Sequence, residues 1–160
     1  MSTKTGAGTR VFIGSKLTAA LSGVAATDLA SLKAAGITYT EIGELISIGD
    51  YGDSVSDVSY TALASSRTTH LKGVQDGGTT DLTIAYDAGD AGQDALVAAK
   101  DDRAGYYYLY PIKVVYVDGQ TDYFAVAVQG IKKKPGSGND VVQRSVTVAI
   151  NSPILEDAGA

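Results

Sequence analysis

The stretch that decides the fold reads Tyr106-Tyr-Tyr-Leu-Tyr-Pro-Ile-Lys-Val-Val-Tyr-Val117, then Asp118-Gly119, then a second β-rich run from Thr121 to Ile131. Aromatic and β-branched residues favour strands, and an Asp-Gly pair tolerates the positive φ angles that a two-residue hairpin turn requires. The sequence therefore predicts a long antiparallel β-hairpin that turns at Asp118-Gly119.

The return strand of this hairpin and the last strand of the chain alternate between two kinds of side chain. Since successive residues of a strand point to opposite faces, each strand presents one apolar face and one small or polar face. The apolar set is expected to pack inward: Phe124, Val126, Val128, Val142, Val146, Val148 and Ile150. The opposite set is Tyr123, Ala125, Ala127, Gln129, Gln143, Ser145, Thr147 and Ala149.

Further strands are expected upstream of the hairpin. Their predicted ranges are Arg10–Gly14, Tyr39–Gly49 with Ile42, Ile46 and Ile48 on one face, Asp57–Leu63, and Thr79–Tyr86 with Leu82, Ile84 and Tyr86 inward. Gly, Asp and Ser between them, from Tyr51 to Ser56, predict a loop.

Two segments have helical signals. Thr27 as N-cap and Gly36 after the last turn bracket a short helix over 28–35. Asp90 as N-cap with Gln93 at N3 forms an aspartate version of the capping box and predicts a helix through about Asp102. The expected fold is mainly β: an antiparallel sandwich or open barrel with one packed helix.

Length and composition limit the class of protein. The chain has 160 residues, 44% of them hydrophobic and 19% charged, with no cysteine and ten tyrosines. A chain of this length and hydrophobic content is enough for one domain over 1–160. Within it, residues 1–9 are expected to form a flexible arm. No run of about 18 apolar residues is present, so membrane insertion is not expected.

The net charge of −5 is unevenly distributed. Residues 41–102 hold twelve acidic residues against three basic ones, whereas the rest of the chain is net positive. Such asymmetry is typical of a solvated acidic surface, and it also suits a protein that stacks on copies of itself.

No residue pattern predicts catalysis, a cofactor or a metal. The single histidine, His70, has no nucleophile motif near it, and Glu41 and Glu44 are expected on opposite faces of a strand. The acids Asp50, Asp53 and Asp57 do not follow the spacing of a calcium loop, and Asp90 is explained by helix capping. Three consecutive lysines, Lys132–Lys134, resemble a nucleic-acid patch but more often protect a strand edge.

The order of the elements resembles the major tail tube proteins of long, flexible-tailed bacteriophages. The resemblance covers about residues 36–154 and rests on five fragments taken in order: Tyr39–Gly52, Val58–Leu63, His70–Gly78, Asp90–Leu96 and the Asp118-Gly119 hairpin. It implies a structural virion protein, not an enzyme, whose strands contribute to a shared inner barrel in a ring of six subunits.

The same resemblance implies the partners and the location. The rings stack into a tube that surrounds the tape-measure protein, meets the tail terminator and distal tail proteins, and passes DNA without sequence-specific binding. The protein is expected in the virion tail after assembly in the host cytoplasm. Two alternatives stay open: a bacterial secretion tube protein of the same fold, and a small β-sandwich binding or adhesin module.

Two sets of site residues follow from this interpretation. The candidates for ring stacking are Asp50, Tyr51, Gly52, Asp53 and Ser54. Because DNA must slide without being held, the lumen is expected to be acidic or neutral and polar. The lumen-facing candidates are Gln143, Ser145, Thr147, Tyr123 and Gln129.

Overall fold

The fold was analysed in a computed structural model that describes residue 3 and residues 5–16, 37–103 and 109–158. The described strands are β1 (Arg10–Ile13), β2 (Thr40–Glu41), β3 (Leu45–Ile48), β4 (Ser54–Thr61), β5 (Thr68–Asp76), β6 (Thr79–Ala85), β7 (Tyr110–Val115), β8 (Thr121–Lys134), β9 (Gln143–Ile150) and β10 (Leu155–Asp157). The described helix is α1 (Ala91–Asp101). The predicted helix over 28–35 and the start of the predicted hairpin, residues 106–108, lie outside the described residues.

Eight strands form one antiparallel sheet in the order β2-β1-β7-β8-β9-β6-β3, with β10 added to β8. The predicted hairpin is confirmed, since β7 pairs with β8. Its turn differs from the predicted two-residue turn: the Tyr116 N–H donates to the Gln120 carbonyl at 2.8 Å, so residues 117–119 form the loop, and Gly119 takes the positive φ, 90°. The mainly antiparallel β fold with a packed helix is therefore confirmed.

Segment 40–48 connects the two ends of the sheet. Its first part, β2, pairs with β1, and its second part, β3, pairs with β6 at the opposite edge. The Ile42 N–H donates to the Val11 carbonyl at 2.8 Å, and the Ala85 N–H donates to the Glu44 carbonyl at 2.9 Å. Since both sheet edges bond to one short segment, the sheet wraps into a barrel and these edges are covered.

The core lies inside this barrel. It is built from the apolar faces of the central strands together with Leu96 and Ala99 of α1, and its members include Val11, Ile13, Leu82, Ile84, Ile112, Val114, Phe124, Val126, Val128, Val146, Val148 and Ile150. The predicted inward facing of β8 and β9 is thus confirmed for these residues.

Three predicted core residues lie outside the core. Ile46 is exposed because Glu44 adopts a φ of 56° and the pairing of β3 with β6 shifts between Leu45 and Ser47, which turns Leu45 inward instead. Tyr86 and Val142 are also exposed, since β6 ends at Ala85 and β9 begins at Gln143.

Helix α1 begins as predicted, but its capping differs in one contact. The Asp90 carboxylate accepts from the Gln93 N–H at 3.2 Å and from the Gly43 N–H at 2.9 Å. The Gln93 side chain does not complete the capping box. Its amide instead donates to the Ala85 carbonyl at 2.8 Å and accepts from the Asp87 N–H at 3.2 Å. The helix start is therefore attached to both segment 40–48 and the end of β6.

We expect Gly92→Ala to destabilise the subunit by about 1–3 kcal/mol, because a methyl group at this position overlaps the Glu41 carbonyl. Helix propensity alone predicts the opposite sign, a gain of about 1 kcal/mol. Urea unfolding of the unassembled subunit measures the difference. Gly89→Ala is the control, since its added methyl meets only ordinary contact. An increase in stability for Gly92→Ala would contradict the close helix approach.

Candidate functional site

Loop 50–54, the predicted stacking loop, is attached to the barrel through one residue. The Tyr51 hydroxyl donates to the Asp122 carboxylate at 2.6 Å, and the Tyr116 hydroxyl donates to the same carboxylate oxygen at 3.0 Å. The two phenol hydroxyls also contact each other. The Tyr51 ring lies on Phe124 with 5.2 Å between ring centroids. The loop is therefore anchored in the core by both a polar and an apolar contact.

The protonation state of this anchor follows from its surroundings. Burial raises the pKa of the Tyr51 phenol, and its hydrogen bond to the Asp122 carboxylate raises that pKa further. Burial likewise raises the pKa of Tyr116. Both phenols stay protonated at neutral pH and act as donors to a buried carboxylate, an arrangement in which each charge-assisted bond is stronger than a neutral one.

The other residues of loop 50–54 are available for contact. Asp50, Gly52 and Asp53 are exposed, and Ser54 is exposed as the first residue of β4. The loop lies beside Gly77–Thr79, and Asp53 and Asp76 line the same cleft. The structure thus brings the five predicted residues together, with Tyr51 turned inward and the others outward.

The β4–β5 hairpin, which follows this loop directly, is the largest exposed element of the described chain. It forms a separate two-stranded sheet, and every residue of β4 is exposed. The sequence predicts a loop up to Ser56 and a strand over Asp57–Leu63, whereas β4 begins at Ser54 and ends at Thr61. The second strand, β5, was not recognised because its apolar residues are few and its sequence has no clear alternation. A free two-stranded hairpin is only marginally stable in water, so packing against another surface would stabilise it.

The predicted lumen residues lie on the sheet face opposite the core, but they differ in exposure. Ser145, Thr147 and Gln143 are half-buried, and Thr147 donates to the Asp81 carboxylate at 2.7 Å. Gln129 is exposed at a bulge in β8, where the pairing shifts between Val128 and Gly130. Tyr123 is only 7% exposed because it packs edge-on against Tyr39. Tyr123 therefore offers little surface to a lumen.

The bulge also places two cations on this face. Beyond it, Lys132 pairs with Ser145 and Lys134 pairs with Gln143, so each lysine shares a face with its partner. All three lysines of 132–134 are exposed. The polar face consequently carries an acidic group in its middle, Asp81 beside Thr147, and is basic at the end formed by Gln143.

Residues considered for catalysis or metal binding have other contacts. His70 lies on the exposed hairpin, with its Nδ1 atom 2.8 Å from the Asp57 carboxylate. Glu41 accepts from the Arg10 guanidinium at 3.0 Å. Within the described ranges, no three potential metal ligands come together. In the same part of the chain, no helix has the length and apolar character needed to cross a membrane.

Several solved structures have a similar fold, among them the following three. The sheath/tube terminator of an extracellular contractile injection system matches with a TM-score of 0.65 at 9% identity, covering 94% of this chain and 93% of that one. The SPP1 tail tube matches with a TM-score of 0.58 at 11% identity, over 93% of this chain and 76% of that one. A chain of the gene transfer agent virion matches with a TM-score of 0.56 at 16% identity, over 92% and 95%.

Sequence comparison identifies the family. No curated protein sequence matches the chain significantly. A family model described as "Phage tail tube protein, TTP" matches residues 5–156, which is nearly the whole chain. The chain therefore belongs to the phage tail tube protein family and is a structural protein of the virion tail.

Proposed function

We propose that this chain forms rings of six copies that stack into the tail tube, which surrounds the tape-measure protein and conducts DNA during ejection. The observation that carries the proposal is the exposed β4–β5 hairpin beside loop 50–54, an element that the described chain does not cover. Solved assemblies with a similar fold support the ring size: the baseplate of the anti-feeding prophage is described as 6-fold symmetrised, and the tail of an empty gene transfer agent particle is described with C6 symmetry.

Stacking is assigned to loop 50–54 and the hairpin that it precedes. Asp50, Gly52 and Asp53 offer exposed polar groups, whereas Tyr51 fixes the loop to the barrel. An anchored loop loses less conformational entropy on binding than a free one, which favours repeated association of identical rings. A tail terminator and distal tail proteins are expected to bind the two ends of the finished tube, which is assembled in the host cytoplasm.

The lumen is assigned to the polar face of β9. Gln143, Ser145 and Thr147 of β9 are its candidates, with Gln129 of β8 at the margin. These side chains carry no positive charge themselves, and Asp81 beside Thr147 adds a negative one, so the middle of this face does not retain phosphates by counterion release. Lys132 and Lys134 lie towards its Gln143 end. DNA then passes without sequence-specific binding.

A tube in an injection or secretion system is the second candidate function. It is favoured by the similarity of the fold to the tube terminator of the contractile injection system. The two candidate functions differ in what passes through the tube, which is DNA in a phage tail tube. Packaged virions that contain this protein in the tail would decide for the phage tube.

Sedimentation of the purified protein tests the proposed function. We expect fast-sedimenting tubes or rings at high protein concentration, alone or after addition of the tail initiator complex, with hollow particles in negative stain. A monomer under both conditions would contradict the proposal.

Removal of Gly52–Ser54 tests the role of the loop. We expect the variant to fold, because none of the three side chains lies in the core, and to form no tubes. Far-UV circular dichroism and urea unfolding provide the folding control. Tubes of normal length in this variant would show that the loop takes no part in the stacking contact.

Tyr51→Phe tests the anchor alone. Loss of the hydrogen bond to Asp122 is expected to lower the free energy of unfolding by about 1–3 kcal/mol, since a charged acceptor is involved. Tyr60→Phe is the matched control, because the Tyr60 side chain is exposed on the hairpin. Equal stability of the two variants would show that the anchor contributes nothing.

Ser145→Lys combined with Thr147→Lys tests the lumen. We expect assembly to continue and DNA ejection to slow, because every ring then adds cations that bind phosphate. The matched control is Ser145→Glu with Thr147→Glu, which changes size similarly but repels DNA. Time-resolved ejection from intact particles is the measurement. Equal ejection rates for both variants would contradict the lumen assignment.

A further inference from the structure

The Arg144 guanidinium lies half-buried at one end of the barrel, where β9 begins. Its side chain is on the same face of β9 as Val146 and Val148, which belong to the core. The guanidinium lies over the Tyr86 ring, 4.2 Å from the ring centre, but its Nε atom is buried and forms no hydrogen bond. A buried donor without an acceptor is costly, and in native proteins such a donor commonly bonds a water molecule or an ion.

A second cation, Lys133, lies directly opposite Arg144 in the pairing of β8 with β9. The two side chains therefore share a face of the sheet, with about 5 Å between their Cβ atoms. We call these two residues the cation pair. Like charges in directly opposite positions destabilise a sheet. An anion that bonds to both side chains would remove this repulsion and supply an acceptor for the Arg144 guanidinium.

Three carboxylates lie at the same end of the barrel as the cation pair, but none forms an ion pair with it in the described part of the chain. Those of Asp87 and Asp140 accept hydrogen bonds from backbone N–H groups of their own turns. That of Glu44 is exposed, and no ion pair joins it to Arg144 or Lys133. These acids weaken the binding of an anion through their charge, but they do not occupy the donors of the cation pair.

We propose that the cation pair binds inorganic phosphate, one ion per subunit. The planar guanidinium presents its N–H donors in a fork that matches two oxygens of a phosphate, and the lysine adds a second positive charge. Two cations attract a doubly charged oxyanion more strongly than a singly charged one. The Tyr86 ring restricts the guanidinium on one side through a cation–π contact, so the donors are partly oriented before the ion binds.

The position of the cation pair favours a free ion over a backbone phosphate of DNA. Lys132 and Lys134 lie on the polar face that is assigned to the lumen. Lys133 and Arg144 alternate with the residues of that face, so their side chains lie on the other side of the sheet. DNA in the lumen passes the polar face and not the cation pair. The inference therefore goes beyond the proposed function and does not depend on it.

Phosphate bound to the cation pair joins β8 to β9 at the end of the barrel, beyond the last core contacts of these strands. An ion that binds the folded chain and not the unfolded chain stabilises the fold, and the gain grows with the ion concentration relative to its dissociation constant. The unassembled subunit is therefore expected to be more stable in phosphate than in chloride.

Urea unfolding of the full-length, unassembled chain tests the site, with phosphate increased and chloride decreased at constant ionic strength. Phosphate also stabilises proteins in general because it is excluded from their surface, so matched variants are needed. Lys133→Gln and Lys132→Gln lose the same charge at adjacent positions on opposite faces. We expect the wild type and Lys132→Gln to reach half of their gain in stability at similar phosphate concentrations. Lys133→Gln is expected to need about tenfold more phosphate, because one charge-assisted contact is lost.

Two further variants separate binding from a structural role. Arg144→Lys keeps the charge but lacks the donor fork, so it is also expected to need about tenfold more phosphate. Glu44→Gln removes an acid at the same end and is expected to need less phosphate than the wild type. In chloride alone, Lys133→Gln is expected to be at least as stable as Lys132→Gln, because it removes the repulsion between the cations.

The outcomes that would overturn the site are specific. An equal phosphate response of Lys132→Gln and Lys133→Gln, or an equal response of the wild type to acetate, would show that the cation pair binds no phosphate. A short DNA duplex that gives the same gain in stability would overturn the assignment to a free ion. Each of these outcomes leaves the tube function intact, since the measurement uses the unassembled chain.

Discussion

The bonding of segment 40–48 to both edges of the sheet is the constraint on which the rest of the structure depends. Its nine residues pair with β1 on one side and with β6 on the other, so the barrel closes around the core. Closure covers the strand edges that otherwise attract other chains. Helix α1 reinforces it, because Asp90 and Gln93 bond to this segment as well as to β6.

Closure also determines where association takes place. With those two edges covered, the described chain offers the hairpin, the exposed residues Tyr86 and Val142, and the polar face of β9 as its main exposed surfaces. Part of the charge asymmetry of the sequence lies on these surfaces: Asp50, Asp53 and Asp76 are exposed around the hairpin base, and Lys132–Lys134 are exposed at the end of β8.

Patterns among neighbouring residues correctly predicted the elements that depend on neighbouring residues. Asp118-Gly119 and the alternation of β8 and β9 predicted the long hairpin and its core face, and Asp90 predicted the start of α1. The missed features depend on residues far apart in the chain. The Tyr51 hydroxyl reaches Asp122 across 71 positions, and nothing near Tyr51 indicates this partner.

Two further predictions, the burial of Tyr86 and Val142 and the exposure of Tyr123, were wrong for the same reason: contacts between distant parts of the chain decide them. Tyr86 and Val142 continue the alternation of their strands, so the pattern assigns them to the core, yet the barrel ends before it reaches them. Tyr123 was assigned to an open face because alternation says which way a side chain points, not whether another residue covers it. Tyr39 covers it here. Among the candidate site residues, the exposed loop up to Asp53 was thus predictable from composition, whereas the start of β4 at Ser54 and the Asp122 anchor were not.

A helical reconstruction of the purified tube by cryo-electron microscopy tests the central claim most directly, because it shows ring size, lumen and axial contact in one density map. The account predicts six subunits per ring, β9 facing the lumen, and the β4–β5 hairpin of each subunit lying on the adjacent ring. A tube whose hairpins point to solvent, or whose lumen is lined by the other face of the barrel, would contradict it.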